Sequence, residues 1–196
     1  MENQFEILAS IIKNRRSIKP AQMNGRFIPD TQIQELLALA DWAPTHGNTE
    51  PWRFFVYSGD SVKRFCSEHA ELYKENTSEE KYLKGNYEKL FHNGDLVSHI
   101  VVVAMQRGIN HKITVAEEEA AVASAIQNIL LGATSLNIAS MWSTAGMTHH
   151  PALKKYLHLR EEDRVMGILY LGYTDMQTSG KRIIPMLEKI KWNFFI

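Results

Sequence analysis

The chain is short of several things, and each shortage narrows what it can be. A single cysteine, Cys66, stands among 196 residues, so no disulfide can close within the chain and a reducing, cytoplasmic setting is expected. Cys66 has no neighbouring histidine or second cysteine to activate it and reads as a plain helix residue. Net charge is missing too. The 22 Lys+Arg balance 22 Asp+Glu, which argues against bulk electrostatic binding to nucleic acid or to an anionic membrane. The longest apolar run, near Ile100 to Met105, falls far short of the ~20 residues a membrane-spanning helix needs. The first ten residues place Glu2 and Glu6 before any base and do not resemble a signal peptide. No repeat, no Pro/Gly/Ser-rich linker and no GxSxG, Walker or GxGxxG motif occurs. The eight histidines show no zinc-binding spacing with cysteine or glutamate, and no metal site is expected. What remains is one domain over residues 1–196, with an ordinary 44% hydrophobic and 22% charged content.

Hydrophobic spacing then sketches the elements. Phe5, Leu8, Ile11 and Ile12 form one face of a first helix that delivers the chain to Arg15-Arg16-Ser17. After a loop marked by Pro20, Gly25 and Pro29, Asp30 or Thr31 caps a second helix with Ile33, Leu36, Leu37 and Ala40 inward. Residues 44–51 cannot continue it and read as a loop. A strand follows from Trp52 to Tyr57, and Ser61 opens a third helix to about Lys74. The polar stretch 76–95, with Tyr82, Tyr87 and Phe91, is expected to make a helical excursion that covers a site. Leu96–Met105 and Val165–Tyr173 read as buried strands, and Met141-Trp142 as the start of a short one. A helix from Ala116 to about Ala139 is apolar nearly all round and therefore central. The acids Glu117-Glu118-Glu119 at its start enrich a helix first turn with negative charge. Pro151 suits the first turn of a short helix ending near Leu157. Helices and strands mix without a βαβ rhythm, so the class is α+β.

Three stretches offer chemistry. Arg15, Arg16 and Ser17 bring two guanidiniums and a hydroxyl close together, donors that suit a phosphate; two solvated arginines are the alternative. Lys181-Arg182 is a second basic pair. The loop at Pro44, Thr45, His46, Asn48 and Glu50 offers mixed hydrogen-bonding groups between two prolines, as a ribityl chain or a flavin edge would need; a well-capped surface turn is the alternative. Ser143-Thr144-Ala145-Gly146, after Trp142, lets a flat ligand approach the backbone, or is an ordinary exit from a strand.

Taken in order, Asn14-Arg15-Arg16-Ser17, Ala43-Pro44-Thr45-His46-Gly47-Asn48-Thr49-Glu50-Pro51-Trp52, Met141-Trp142-Ser143-Thr144 and Leu169-Tyr170-Leu171-Gly172-Tyr173 resemble the nitroreductase family of FMN enzymes. His111-Lys112 and the acidic helix start look like its compact bacterial branch of NAD(P)H nitroreductases. The resemblance implies a central, mainly antiparallel sheet flanked by helices and an intertwined homodimer with two shared FMN sites. It places Arg15, Arg16 and Ser17 at the FMN phosphate and ribityl end, with Lys181 or Arg182 completing the phosphate site. Trp142, Ser143 and Thr144 line the flavin from the same subunit; Pro44, Thr45, His46 and Asn48 come from the partner. The apolar end, Trp192 to Ile196, is expected to reach across the dimer. NADH or NADPH would reduce the flavin and an electron-poor acceptor would then reoxidise it, with no side chain named as catalytic. A flavin-storage protein with little turnover, or an interaction protein that has lost the cofactor, are the alternatives. The chain departs from the family at Glu50, where glutamine is common, at Ser143, in place of a basic residue, and at Asn137-Ile138-Ala139-Ser140, in place of a glycine-rich turn.

Overall fold

The computed structural model describes residues 3–193; Phe194, Phe195 and Ile196, the last three of the five residues of the apolar end singled out above, lie outside them. The first helix, α1 (Gln4–Asn14), is followed by α2 (Asp30–Ala40), β1 (Trp52–Ser58), α3 (Asp60–Glu75), α4 (Lys84–His92) and β2 (His99–Met105). The chain continues with α5 (Val115–Ser135), β3 (Ala139–Ser143), α6 (Pro151–Tyr156) and β4 (Arg164–Gly172). The four strands form one sheet in the order β1-β2-β4-β3 with every pairing antiparallel, so the class is α+β.

Strand β2 is buried at every position, because both faces of the sheet are covered. Val101, Val103, Met105, Leu169 and Leu171 meet α2 and α5 on one face. Ile100, Val102, Ile168 and Tyr170 meet α3, α6 and Leu90 of α4 on the other. Alternate residues of a strand point to opposite faces, which is why one apolar run serves two cores. Helix α1 behaves differently. None of its residues is buried, and Phe5 and Leu8 are 73% and 52% exposed.

Several local expectations are revised. Helix α2 has Pro29 as its N-cap, without a side-chain cap. The Asp30 carboxylate instead accepts from His99 Nε2 at 2.9 Å, tying α2 to the sheet, and Thr31 is simply exposed. Helix α3 starts at Asp60, and the Ser61 hydroxyl bonds back to Ser58. Helix α5 stops at Ser135, four residues early, and Ala139 already belongs to β3. Asn137 takes a left-handed conformation (φ 56°). The Ile138 and Asn137 N–H groups donate to the Ala133 and Thr134 carbonyls, so asparagine closes the helix in the way glycine usually does.

Two further expectations change because charges and rings find tertiary partners. Glu118 is buried and paired with Arg107, whose other donor caps the Ile113 carbonyl at 2.5 Å. Glu118 also accepts from the Gly108 N–H. Only Glu117, in a capping box with Thr114, is a helix-start acid of the expected kind; Glu119 pairs with Arg164 at 2.6 Å. In the 76–95 stretch Tyr82 stacks on Tyr73, and the Tyr87 hydroxyl donates to Glu71. These rings knit the segment to α3. The face of α4 turned to β3 carries Asn86, Lys89, Leu90 and Asn93.

His69 joins α3 to the turn after β3. Its Nε2 accepts the Met147 N–H at 2.9 Å while the ring is 1% exposed. Burial holds its pKa down at about 4. The unfolded chain, titrating near the ordinary 6.5, binds this proton first, so stability is full above pH 6.5 and falls as pH drops toward 4. The loss should be on the order of 3 kcal/mol, and chemical denaturation of the protein and of His69→Gln across this window checks it: the variant should lack that share of the slope. Breaking the other buried tie, Glu118→Ala, strands the Arg107 charge and should cost about 3 kcal/mol or more, read as a lower urea midpoint. A change below about 0.5 kcal/mol would contradict the buried pair.

Candidate functional site

The helix α1 ends where the chain must turn to meet the sheet. The Ile18 N–H donates to the Ser140 carbonyl at 2.9 Å, and Ser17 bridges Ser140 in parallel. The basic tripeptide is thereby fixed beside the start of β3. Side chains alternate along extended backbone, so Arg15 and Ser17 share a side, with Nη1 and Oγ 3.5 Å apart. Arg16 turns the other way, into a pocket of about 470 Å³ shared with Ser10, Asn14, Thr134 and Ser135. Its Nη1 donates to the Lys13 and Arg15 carbonyls at 2.7 and 2.9 Å. Its Nε is buried with no acceptor. Among the described residues no carboxylate pairs with either arginine.

The C-terminal segment returns to this cluster. Gly180 lies against the Arg16 guanidinium so closely that a Cβ there would sit 2.7 Å from Cζ. Glycine is what admits the contact, and the exposed Lys181 and Arg182 follow directly. The late basic pair therefore lies next to the early one, though far from it in sequence.

On β3 the Trp142 Nε1–H donates to the Met166 carbonyl at 3.0 Å. Its ring lies across Gly167, where a Cβ would come within 2.0 Å of the indole nitrogen. Any side chain at 167 would dislodge the tryptophan. Ser143 accepts the Ala145 N–H at 3.2 Å, closing the turn after the strand, and Thr144 is exposed.

The loop at 44–50 is built as a unit but stands elsewhere. Thr45 and Thr49 share a hydroxyl hydrogen bond of 3.0 Å, and Thr45 Oγ1 accepts the Glu50 N–H. Asn48 and Glu50 hold positive φ of 52° and 42°, strain that surrounding structure must maintain. His46 Nδ1 lies 2.9 Å from Glu117 Oε1. The Glu117 carboxyl is held down at about 2 by the Thr114 N–H and hydroxyl first, then by His46. An ionised carboxylate only accepts, so the imidazole carries its proton on Nδ1 and shows Nε2 outward. Pro44 and Asn48 are exposed.

The loop meets α5 at Glu117, whereas the Arg16 pocket meets α5 at Thr134 and Ser135. These points are nearly five helical turns apart, about 26 Å at 1.5 Å per residue. Within one chain the structure therefore brings Arg15, Arg16, Ser17, Lys181 and Arg182 into one neighbourhood with the start of β3. It does not bring Pro44, Thr45, His46 and Asn48 to them. Sequence reasoning missed Glu117 as the partner of His46, although Thr114-x-x-Glu117 is a legible capping signature. It also missed Gly180 against Arg16, for which no local signal exists.

Comparison with known proteins meets this geometry. The model of the nitroreductase family matches residues 12–173. A curated Bacillus subtilis protein named "Putative NAD(P)H nitroreductase YfhC" is 26% identical over 191 residues, 95% of this chain and 94% of that one. A solved nitroreductase-like family protein from Bacillus cereus is 26% identical with a TM-score of 0.82, covering 95% of each chain. The FMN-dependent nitroreductase NfnB of Mycobacterium smegmatis, solved with NADPH, shares the fold at 17% identity and a TM-score of 0.72, covering 97% of this chain and 100% of its own. With the family model spanning the first helix to the last strand, and the same architecture in solved relatives, the chain belongs to the nitroreductase family.

Proposed function

We propose that this chain is a cytoplasmic, single-domain oxidoreductase that uses FMN to pass reducing equivalents from NADH or NADPH to an electron-poor small molecule, a nitroaromatic or quinone, in ping-pong order. The observation that carries the reading is the anion cluster. Arg15, Ser17 and Arg16 stand at one strand end without a carboxylate partner among the described residues, and a buried guanidinium Nε lacks an acceptor. A phosphate monoester supplies what they lack, so the residues fit FMN. The relatives' names and the FMN-bound neighbours support the same cofactor.

Bound FMN supplies a two-electron carrier between nicotinamide and acceptor. In balance, one NAD(P)H, one proton and the acceptor yield NAD(P)+ and the two-electron-reduced acceptor; a nitro group gives a nitroso group and water. The chain's own residues bind and orient. Arg15 and Ser17, on one side of the backbone, hold the phosphate; Arg16, turned to the other side, adds positive charge behind them, and Lys181 or Arg182 completes the charge balance. Trp142, pinned over Gly167, with Ser143 and Thr144, flanks the ring. Pro44, Thr45, His46 and Asn48 serve the flavin of a partner subunit, since α5 keeps them about 26 Å from their own chain's cluster. His46 offers an acceptor nitrogen there. No side chain is assigned as acid or base.

A homodimer also accounts for apolar surface left in water. Phe5, Leu8 and Ile12 on α1, Trp42 after α2, and Ile183, Met186 and Leu187 in the tail are all exposed, more than a monomer usually leaves uncovered. The outer edge of β1, unpaired among the described residues, is available to the partner's tail.

Replacing Arg15 and Arg16 together by alanine should weaken FMN at least about a hundredfold, given roughly 1.5–3 kcal/mol per charged hydrogen bond and ~1.4 kcal/mol per factor of ten. Riboflavin, without a phosphate, should lose far less in the same fluorescence titration; equal losses would remove the phosphate from these residues. Phe5→Asp with Leu8→Asp should convert a dimer to monomer in sedimentation and lower FMN affinity along with it. A wild-type monomer that binds FMN tightly would overturn the shared site.

A further inference from the structure

A second cavity, of about 300 Å³, lies between α4 and the end of β3. Its floor is Met141 and Ser143, and its wall is Tyr170, the buried tyrosine of β4. Asn86, Lys89 and Asn93 come down from α4. Ser143 belongs both to this cavity and to the strand end that flanks the ring in the reading above, so the cavity opens beside the place where an acceptor would react.

Its charge is unbalanced in one direction. The other ionisable side chains of α4 have partners close by: Lys84 lies 3.6 Å from Glu88, and His92 lies 3.9 Å from Glu88 and 2.8 Å from Asp95. Lys89 has no such partner among the described residues, and no carboxylate lines the cavity. The remaining polar groups are donors or can become so. Asn93 Nδ2 donates to the Tyr170 hydroxyl at 3.4 Å, leaving that hydroxyl's own proton directed to no acceptor among the described residues. Burial pushes the Tyr170 pKa up, so it remains a donor at neutral pH. The Asn86 amide donates one N–H to the Tyr73 hydroxyl at 3.5 Å and has a second N–H to offer.

We propose that this cavity is an acceptor subsite that takes a carboxylate, so that the enzyme selects electron-poor aromatic compounds carrying one. This rests on the flavin reading. One ammonium with carboxamide and phenol donors matches a singly charged carboxylate; a doubly charged phosphate is better met by arginine forks, which the cavity lacks. The volume is at the small end for ligand sites and admits one substituted ring. Met141 and Leu90 supply apolar walls.

The test compares 4-nitrobenzoate with 4-nitrobenzyl alcohol, two acceptors of similar size and different charge, on the FMN-loaded protein with NAD(P)H. Wild type should show a higher kcat/KM for the benzoate by about tenfold, carried mostly by KM. Lys89→Gln should bring the ratio of the two kcat/KM values near unity, Lys89→Arg should keep it, and Lys84→Gln on the same helix should not change it. A charged hydrogen bond from an exposed lysine, weakened by solvent screening, supports a change of about that size. Saturation-transfer NMR of 4-nitrobenzoate binding to each protein gives a readout independent of turnover. Binding by wild type that is lost in Lys89→Gln upholds the subsite; binding of that kind in a wild type that reduces neither compound upholds the subsite and removes the flavin reading. Equal binding of both compounds, or a ratio unmoved by Lys89→Gln, overturns the subsite while leaving FMN chemistry intact.

Discussion

Helix α5 is 21 residues long, about 30 Å, and both ends of it hold chemistry. Its first turn anchors the loop at 44–50 through Glu117 and His46, and its last turns wall the pocket of Arg16. A helix packed on a sheet cannot shorten to bring its ends together. The two groups can act on one small ligand only if they come from different copies of the chain. In the proposed dimer this makes assembly and cofactor binding one equilibrium, because every contact that stabilises the pair also completes a site. The exposed apolar face of α1, just before Arg15, is where that coupling would be felt first.

The position of α5 depends in turn on charges that the hydrophobic core does not supply. Arg107, at the end of β2, reaches Glu118 and the Ile113 carbonyl, and its own N–H and C=O are taken by Asp163 and Arg160. Strand β2, helix α5 and the start of β4 are thus tied to one residue, α5 through its guanidinium and the approach to β4 through its backbone. The same connection supports the 44–50 loop, since Gly108 and Ile113 pack beneath Thr49 and Gly47. Buried ion pairs add little net stability over apolar packing. Here the pair gives direction: it holds a loop with two strained non-glycine residues in the conformation that points His46 outward.

Much of this architecture was legible in the sequence because burial has a period. The inward residues of α2 and the two-faced run of β2 follow from spacing alone, as does proline at the first position of α6. What spacing cannot show is where a polar group ends up. Glu118 sits among three consecutive acids and differs from its neighbours only in meeting Arg107. Asp30 looks like a helix cap and instead holds His99. Asn137 does the work of a glycine, which a pattern search for glycine misses. At the candidate site the arginines and the late basic pair were named from sequence, but their proximity depends on Gly180 lying against Arg16, a contact between distant parts of the chain. That the arginine side chains diverge follows from extended backbone, which the tripeptide by itself does not reveal.

The titration of the groups around β3 also bears on how such a site would choose its substrates. His69 is kept neutral by burial, with a pKa of about 4, and Tyr170 and Cys66 are pushed upward by the same cause, Cys66 to about 12. At neutral pH none of the three is charged, and none is poised to exchange a proton. Lys89 remains as the charged group lining the cavity. A site arranged in this way has little of its own to contribute to bond making and must rely on the cofactor for that. Its discrimination lies in where it permits charge to rest, and a single uncompensated ammonium in a carboxylate-free cavity favours one sign. Selectivity would then depend on ionic strength, whereas the redox step, confined to ring and nicotinamide, would depend on it much less.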